Sequence, residues 1–163
     1  MLAYPAIDPV ALSLGPLKIH WYGLTYIGGL AFAWWFARRR SKASHSPLES
    51  DQIDDLIFYA AVGIVLGGRL GYALFYGAER LAADPMWLFR VWEGGMAFHG
   101  GLLGVLVAMA VFARQRVIDW GRLMDFVAPL TPVGLALGRL GNFIGQELWG
   151  RPTEVPWAMV FPN

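Results

Sequence analysis

Residues 19–37 read IHWYGLTYIGGLAFAWWFA, nineteen residues without a formal charge, and three arginines follow at once at 38–40. At about 1.5 Å of rise per residue, a helix of that length comes close to the roughly 30 Å of a hydrocarbon core. A secretory signal peptide carries its positive charge before the apolar run and a small-residue cleavage site after it. Because the charge follows the run here, the stretch predicts a membrane anchor that stays in the chain.

The composition of the whole chain agrees with a membrane protein. Of 163 residues, 56% are hydrophobic and 15% are charged, where an ordinary soluble domain has about 25% charged residues. These values exclude a disordered chain and a water-soluble globule. The net charge of +1 argues against a nucleic-acid-binding protein. Since the chain has no cysteine, it has no disulfide, no thiolate metal site and no cysteine nucleophile.

Three further apolar runs follow the first. The last of them contains Pro129 and Pro132, which membrane helices tolerate when neighbouring groups satisfy the freed backbone. Residues 86–92 (MWLFRVW) are typical of a short amphipathic segment at the membrane interface. We therefore expect an all-α integral membrane protein, a polytopic helical bundle that forms a single transmembrane domain over 1–163. About four spans are predicted, near 19–37, 56–76, 96–113 and 126–144.

The distribution of basic residues predicts the orientation of these spans. If the cluster at 38–42 is cytoplasmic, seven Lys and Arg residues fall inside (Arg38, Arg39, Arg40, Lys42, Arg114, Arg116 and Arg122). Four fall outside (Lys18, Arg80, Arg90 and Arg151). Cytoplasmic loops carry the excess of positive charge, so the N-terminus is expected outside.

With this topology, polar side chains lie in the outer half of every span. They are His20, Tyr22, Arg69, Tyr72, His99, Arg139, Asn142, Gln146 and Glu147. Polar residues are rare in hydrocarbon and usually face a cavity or a partner. The sequence therefore predicts one polar site at the depth of the outer headgroups. A helix continuing past Asn142 would keep Gln146 on the same face.

Two arginines at that depth suggest a phosphate ligand, because a guanidinium matches phosphate oxygens in bidentate geometry. Other interpretations remain open at this point. Arg69 and Arg139 could extend to the interface, and Arg69 could pair with Glu93. His99 has a side chain suited to moving protons near neutral pH, or it is a buried, hydrogen-bonded histidine. Three histidines without acids at ligand spacing predict no metal site.

Four motifs resemble one family of membrane enzymes. They are HWYGL at 20–24, GGRLGY at 67–72, FRVWEGGMAFHGGL at 89–102 and GRLGNFIGQELWG at 138–150. Their order and spacing are similar to those of the bacterial prolipoprotein diacylglyceryl transferases, over a region from about residue 9 to the last. The resemblance implies transfer of a diacylglyceryl group from phosphatidylglycerol to the lipobox cysteine of a prolipoprotein. A thioether forms, glycerol phosphate leaves, and no cofactor is needed.

The resemblance also implies roles for individual residues in the bacterial inner membrane. His99 and Tyr22 are the candidate catalytic residues, His99 by assisting deprotonation of the thiol. Arg139, with Asn142 and Glu147, is expected to bind the lipid phosphate. Arg69 and Tyr72 are further candidates for headgroup binding. The implied partners are phosphatidylglycerol, lipobox-containing prolipoproteins and the bilayer itself.

The chain departs from the family pattern in two respects. Gly145 stands where the signature usually has Asn, so Gln146 is expected to supply that polar contact or the contact is lost. Members of the family are also longer, so the chain is expected to be the N-terminal portion of a longer protein. The alternative from another class is a non-enzymatic carrier or anion-binding channel subunit, whose polar residues should line the full membrane thickness.

Overall fold

The structure is a computed structural model that describes residues 1–15 and 17–162. It is mainly helical, with α1 (Trp21–Arg40), α2 (Gln52–Phe75), α3 (Ala78–Ala83), α4 (Phe98–Arg116), α5 (Trp120–Val127) and α6 (Thr131–Ile144). The strands are β1 (Leu2–Ala3), β2 (Val10–Leu14), β3 (Leu17–His20) and β4 (Met159–Val160). The chain forms two compact units, unit 1 (Met1–Ala33 with Leu130–Asn163) and unit 2 (Trp34–Pro129).

Three helical stretches are long and apolar enough to cross a membrane. They are Gln52–Phe75, Phe98–Arg116 and Trp120–Ile144, and they confirm the prediction of a helical membrane protein. The first predicted span, 19–37, lies in α1, whose 20 residues also suffice in length at about 1.5 Å per residue. Because α1 is less apolar than the other three, its crossing of the bilayer stays a prediction. The single domain over 1–163 also stays a prediction.

The stretch Trp120–Ile144 corresponds to the predicted span 126–144. It begins earlier than predicted and is interrupted. It starts at Trp120 because the Asp119 carboxylate accepts a hydrogen bond from the Arg122 amide at 2.9 Å and caps the helix. A 3₁₀ turn at Ala128–Leu130 then separates α5 from α6. This turn contains Pro129, and α6 has Pro132 in its first turn, where a missing N–H is tolerated. The predicted start at residue 126 overlooked the cap.

In unit 2, glycines bring the backbones of α2 and α4 into contact. A methyl group on Gly63 would lie 2.7 Å from the Gly104 oxygen, and one on Gly71 would lie 2.8 Å from the Gly100 Cα atom. Small residues at four-residue spacing allow this approach in membranes, where packing replaces the hydrophobic effect as the driving force. The contact places the first turn of α4 against the last turns of α2.

In unit 1, the first half of α1 packs on α6 in a similar way. A methyl group on Gly29 would lie 3.1 Å from the Gly134 Cα atom. The hairpin of β2 and β3 leads into α1, and β1 pairs in parallel with β4. Tyr4 anchors the N-terminal segment, since its hydroxyl donates to the Ile144 carbonyl at 3.0 Å. These contacts hold the end of α6 beside the chain termini.

The segment predicted to lie at the interface, 86–92, is built differently from an amphipathic helix. It forms two 3₁₀ turns, Pro85–Phe89 and Val91–Glu93. Trp87 is buried, with 3% of its surface exposed, so its ring packs inside the protein. The interfacial location of the segment stays a prediction.

Ion pairs tie this segment to α3. Arg80 pairs with Glu93 at 2.7 Å, and Glu93 also pairs with Arg90 at 2.9 Å. Arg90 makes a further ion pair with Asp84. A hydrogen bond from the Arg90 guanidinium lowers the pKa of the Asp84 carboxyl below its ordinary value. The pairs therefore link both 3₁₀ turns to the end of α3.

We predict that Gly71→Ala destabilises the protein by about 1–3 kcal/mol, as overpacking a tight contact does. The new methyl group would meet the backbone at Gly100, which cannot rotate away. Chemical unfolding in detergent measures the loss. Gly23→Ala is the matched control, since a methyl group there meets nothing within 4 Å. Equal effects of the two substitutions would contradict the predicted helix contact.

We also predict a pH-dependent contribution from Asp84. The pKa of this carboxyl is lowered in the folded protein. Its ion pair with Arg90 therefore stabilises the folded state fully above the ordinary pKa of about 4. This stabilisation is lost as the pH falls through the lowered pKa. Asp84→Asn should lower the unfolding midpoint at pH 6, and its difference from wild type should shrink as the pH falls below about 4. The control is Glu154→Gln, which removes an exposed carboxylate from another loop. A gap between Asp84→Asn and wild type that is constant with pH would argue against the ion pair.

Candidate active site

The seven predicted site residues fall into two sets, one in each compact unit. Tyr22, Arg139, Asn142 and Glu147 belong to unit 1, and Arg69, Tyr72 and His99 belong to unit 2. The prediction that they form one site stays a prediction.

Arg139 lies on α6, one turn before Asn142. Its side chain is exposed, and it makes no hydrogen bond or ion pair with any residue that the structure describes. Glycines surround it in sequence, at positions 134, 138 and 141, so neighbouring side chains leave space around the guanidinium. All five of its N–H donors are therefore available to an anion, in the planar arrangement that suits phosphate.

The chain turns sharply after α6. The helix ends at Ile144, so Gln146 does not continue its face as an extended helix would have placed it. Gln146 and Leu148 have φ angles of 55° and 54°, a region that side chains seldom adopt. This geometry lets the Glu147 amide donate to the Asn142 carbonyl at 2.8 Å. The Gln146 side-chain oxygen is buried without a donor within the described residues.

Tyr22 lies in the first turn of α1 and forms a pair with Tyr26. The two hydroxyl oxygens are 3.0 Å apart. Thr25 donates to the Tyr22 carbonyl at 2.8 Å. A methyl group on Gly141 would lie 2.7 Å from the Thr25 hydroxyl oxygen. Tyr26 was missed in the sequence, although its spacing of four residues from Tyr22 puts both on one helix face.

Arg69 is engaged very differently from Arg139. Only 3% of its surface is exposed, and its three nitrogens donate to backbone oxygens at 2.7–3.3 Å, apart from one shorter contact to Gly94. The acceptors are the carbonyl groups of Trp87, Leu88, Arg90, Gly94 and Gly95. The pairing with Glu93 that the sequence left open does not form, because Glu93 pairs with arginines 80 and 90.

Trp87 lies between two guanidinium groups. The Cζ atom of Arg69 is 4.5 Å from the ring centroid, and that of Arg80 is 4.7 Å away. Such contacts stabilise by about 0.5–2 kcal/mol each, more when water is excluded. The ring of Tyr72 is half-buried at 6.1 Å from that of Trp87. No local pattern predicts this arrangement, since the four residues are separated by up to eighteen positions.

His99 is the second residue of α4. The imidazole is exposed and packs edge-on against the ring of Phe98, with 5.6 Å between centroids. It has no hydrogen bond within the part of the chain that the structure describes. The alternative of a buried, hydrogen-bonded histidine therefore does not match the structure, in which neither ring nitrogen has a partner among the described residues.

The chemistry available to these groups is anion binding and proton transfer. The exposed Arg139 provides the cation, while His99 and the tyrosine pair provide exchangeable protons. Within residues 1–15 and 17–162, no group of three or more His, Asp or Glu side chains is arranged to hold a metal ion. In unit 1, the exposed Arg139 guanidinium thus points to an anionic ligand.

Comparison with known proteins identifies similar chains. One relative, from Chromohalobacter salexigens, is 62% identical over 163 residues, which is 100% of this chain and 60% of the relative. Another, from Methylococcus capsulatus, is 59% identical and is covered to 63% of its length. A third, from Pseudomonas aeruginosa, is 55% identical with 61% covered. All three are named phosphatidylglycerol–prolipoprotein diacylglyceryl transferase.

The chain thus spans about three fifths of the length of the curated relatives it matches. The sequence profile of the prolipoprotein diacylglyceryl transferases matches residues 9–163. Together with the three apolar helices, this match makes the chain part of a multi-pass membrane protein. By this profile and these identities, the chain belongs to the prolipoprotein diacylglyceryl transferase family.

Proposed function

We propose that the protein containing this chain transfers the diacylglyceryl group of phosphatidylglycerol to the cysteine thiol of a prolipoprotein lipobox. The observation that carries this proposal is Arg139, an exposed guanidinium without a protein partner among the described residues, near the end of an apolar helix. A permanent charge near the end of a span is stabilised by an anion at headgroup depth. Phosphatidylglycerol has one phosphate there, and family membership supports it as the donor.

In this reaction the thiol sulfur attacks the carbon of the diacylglyceryl moiety whose oxygen is esterified to the phosphate. A C–S bond forms, the C–O bond to the phosphate breaks, and glycerol phosphate leaves with the electron pair. The thiol proton must be removed as the sulfur attacks, because the thiolate is the reactive form. The nucleophile belongs to the substrate, so the absence of cysteine from this chain is compatible with the chemistry.

Each site residue then has a role that its surroundings support. Arg139 binds the phosphate and stabilises the negative charge that grows on the leaving group, and Asn142, one turn further on, donates a second hydrogen bond. Glu147, in the turn after α6, completes the phosphate pocket, and Tyr22 donates a hydrogen bond or relays a proton through Tyr26, whose hydroxyl is 3.0 Å away. His99, with an exposed imidazole, accepts the thiol proton.

The remaining two candidates are held more tightly. Tyr72 is half-buried and contributes its hydroxyl to headgroup binding. Direct binding by Arg69 stays a prediction, and it requires that one of the five carbonyl contacts be exchanged for a phosphate oxygen.

The protein lies in the bacterial inner membrane in this proposal, with its N-terminus outside and its site toward the outer leaflet. The excess of basic residues in the loops assigned to the cytoplasm supports this orientation. Phosphatidylglycerol in the outer leaflet and a prolipoprotein that has crossed the membrane would meet on that side.

We predict that Arg139→Ala lowers kcat/KM for phosphatidylglycerol at least about 100-fold, the effect of losing one group that stabilises growing negative charge. Arg139→Lys should restore only part of the rate, because an ammonium group lacks bidentate geometry. The measurement is thioether product, by mass, from the complete protein in vesicles that contain phosphatidylglycerol and a lipobox peptide.

Arg114→Ala is the matched control, because Arg114 is also an exposed arginine in the last part of an apolar helix, α4. Its turnover should equal that of wild type. Wild-type turnover in both Arg139 variants would remove the phosphate-binding role from Arg139. No product from the wild-type protein would overturn the proposed function itself.

A further inference from the structure

We infer that Arg69 is a positioning residue: it fixes the backbone of residues 85–97 and thereby the start of α4, where His99 lies. This inference rests on the proposed function for its kinetic consequence. It assigns to Arg69 a role other than contact with the lipid headgroup.

The guanidinium is fully engaged by one segment. Its five N–H groups face five carbonyl oxygens of residues 87–95, and the side chain is 3% exposed. Backbone carbonyls outside regular helices need donors when water is absent. Arg69 supplies these donors to a segment made of two 3₁₀ turns and a glycine pair. An uncompensated charge at this buried position would be costly. The guanidinium therefore needs the carbonyl acceptors as much as the carbonyls need its donors.

The glycine pair allows two successive carbonyls to face the guanidinium. Gly94 and Gly95 have φ angles of 77° and 86°, which only glycine adopts without strain. A methyl group on Gly95 would also lie 2.6 Å from the Cδ1 atom of Tyr72. The backbone at 94–95 is therefore held between the Arg69 side chain and the Tyr72 ring, three residues further along α2.

The connection to His99 is short. The Ala97 amide donates to the Gly68 carbonyl at 2.9 Å, and α4 begins at the next residue. Gly68, the neighbour of Arg69 in α2, thus holds Ala97, the residue that precedes α4. Since the imidazole of His99 has no hydrogen bond within the described chain, its direction depends on the backbone of this first turn. Arg69 reaches His99 only through that backbone.

Hydrogen exchange tests the structural part without any activity measurement. In Arg69→Gln and Arg69→Lys, amides of residues 86–97 should exchange at least about tenfold faster than in wild type, while those of 105–113 in α4 stay protected. Arg114→Gln is the control and should change neither region. Unchanged exchange in 86–97, or an equal loss of protection in both regions, would overturn the inference.

Kinetics in phosphatidylglycerol vesicles test the positioning part. Arg69→Lys should lower kcat up to about 100-fold, the effect of small misplacements of a reacting group, with KM for phosphatidylglycerol within about twofold. The loss should shrink from pH 7 to pH 9.5, because a thiol with a pKa of about 8.5 then ionises without a base.

The kinetic results distinguish a positioning role of Arg69 from direct binding of the lipid headgroup. A raised KM with unchanged kcat would assign Arg69 to direct headgroup binding and overturn its positioning role. A kcat loss that stays constant with pH would overturn the link to His99. If the wild-type protein makes no thioether, the proposed function fails, and the exchange experiment still decides whether Arg69 fixes residues 85–97.

Discussion

The contact between Arg69 and the carbonyl groups of residues 87–95 is the interaction on which unit 2 depends most. A buried guanidinium needs acceptors for five N–H groups, and an irregular segment needs donors for its carbonyls. Each supplies what the other lacks, without any carboxylate in the guanidinium's contacts. Trp87 then packs on the guanidinium face, and the backbone passes directly to α4. A single charged side chain therefore determines the path of the chain between two apolar helices.

Arg69 and Arg139 show that the local sequence does not determine whether an arginine is buried or exposed. Residues 68–71 and 138–141 both read GRLG, and each arginine lies in an apolar helix. Arg69 is buried, whereas Arg139 is exposed. The difference comes from residues 85–95, which fold back on one copy of the tetrapeptide through a pair of glycines with positive φ angles. Such long-range contacts leave no mark at positions 68–71 themselves, and for this reason the sequence kept Arg69 as a further candidate for phosphate binding beside Arg139.

The apolar helices could be predicted because length and hydrophobicity decide them almost alone. Their ends could not, because a cap such as Asp119 and a turn at Pro129 act through single hydrogen bonds. The 3₁₀ turns of residues 86–92 and the burial of Trp87 could not be predicted either, because aromatic residues suit both the membrane interface and stacking inside a protein. Of the candidate site, the residue types could be predicted, and so could the helical neighbours Arg139 and Asn142. The tyrosine pair and the turn at Gln146 required the structure.

The exposure of Arg139 is itself an argument about substrate exchange. In the proposed function a lipid enters and leaves sideways, so its phosphate has to meet a cation that no carboxylate already neutralises. An internal ion pair would have to be broken at each turnover, with a buried charge left behind. Arg139 avoids this difficulty, because no carboxylate of the described residues pairs with it. In that proposal its permanent charge attracts the lipid phosphate, while the incoming thiol brings no net charge of its own until it is deprotonated.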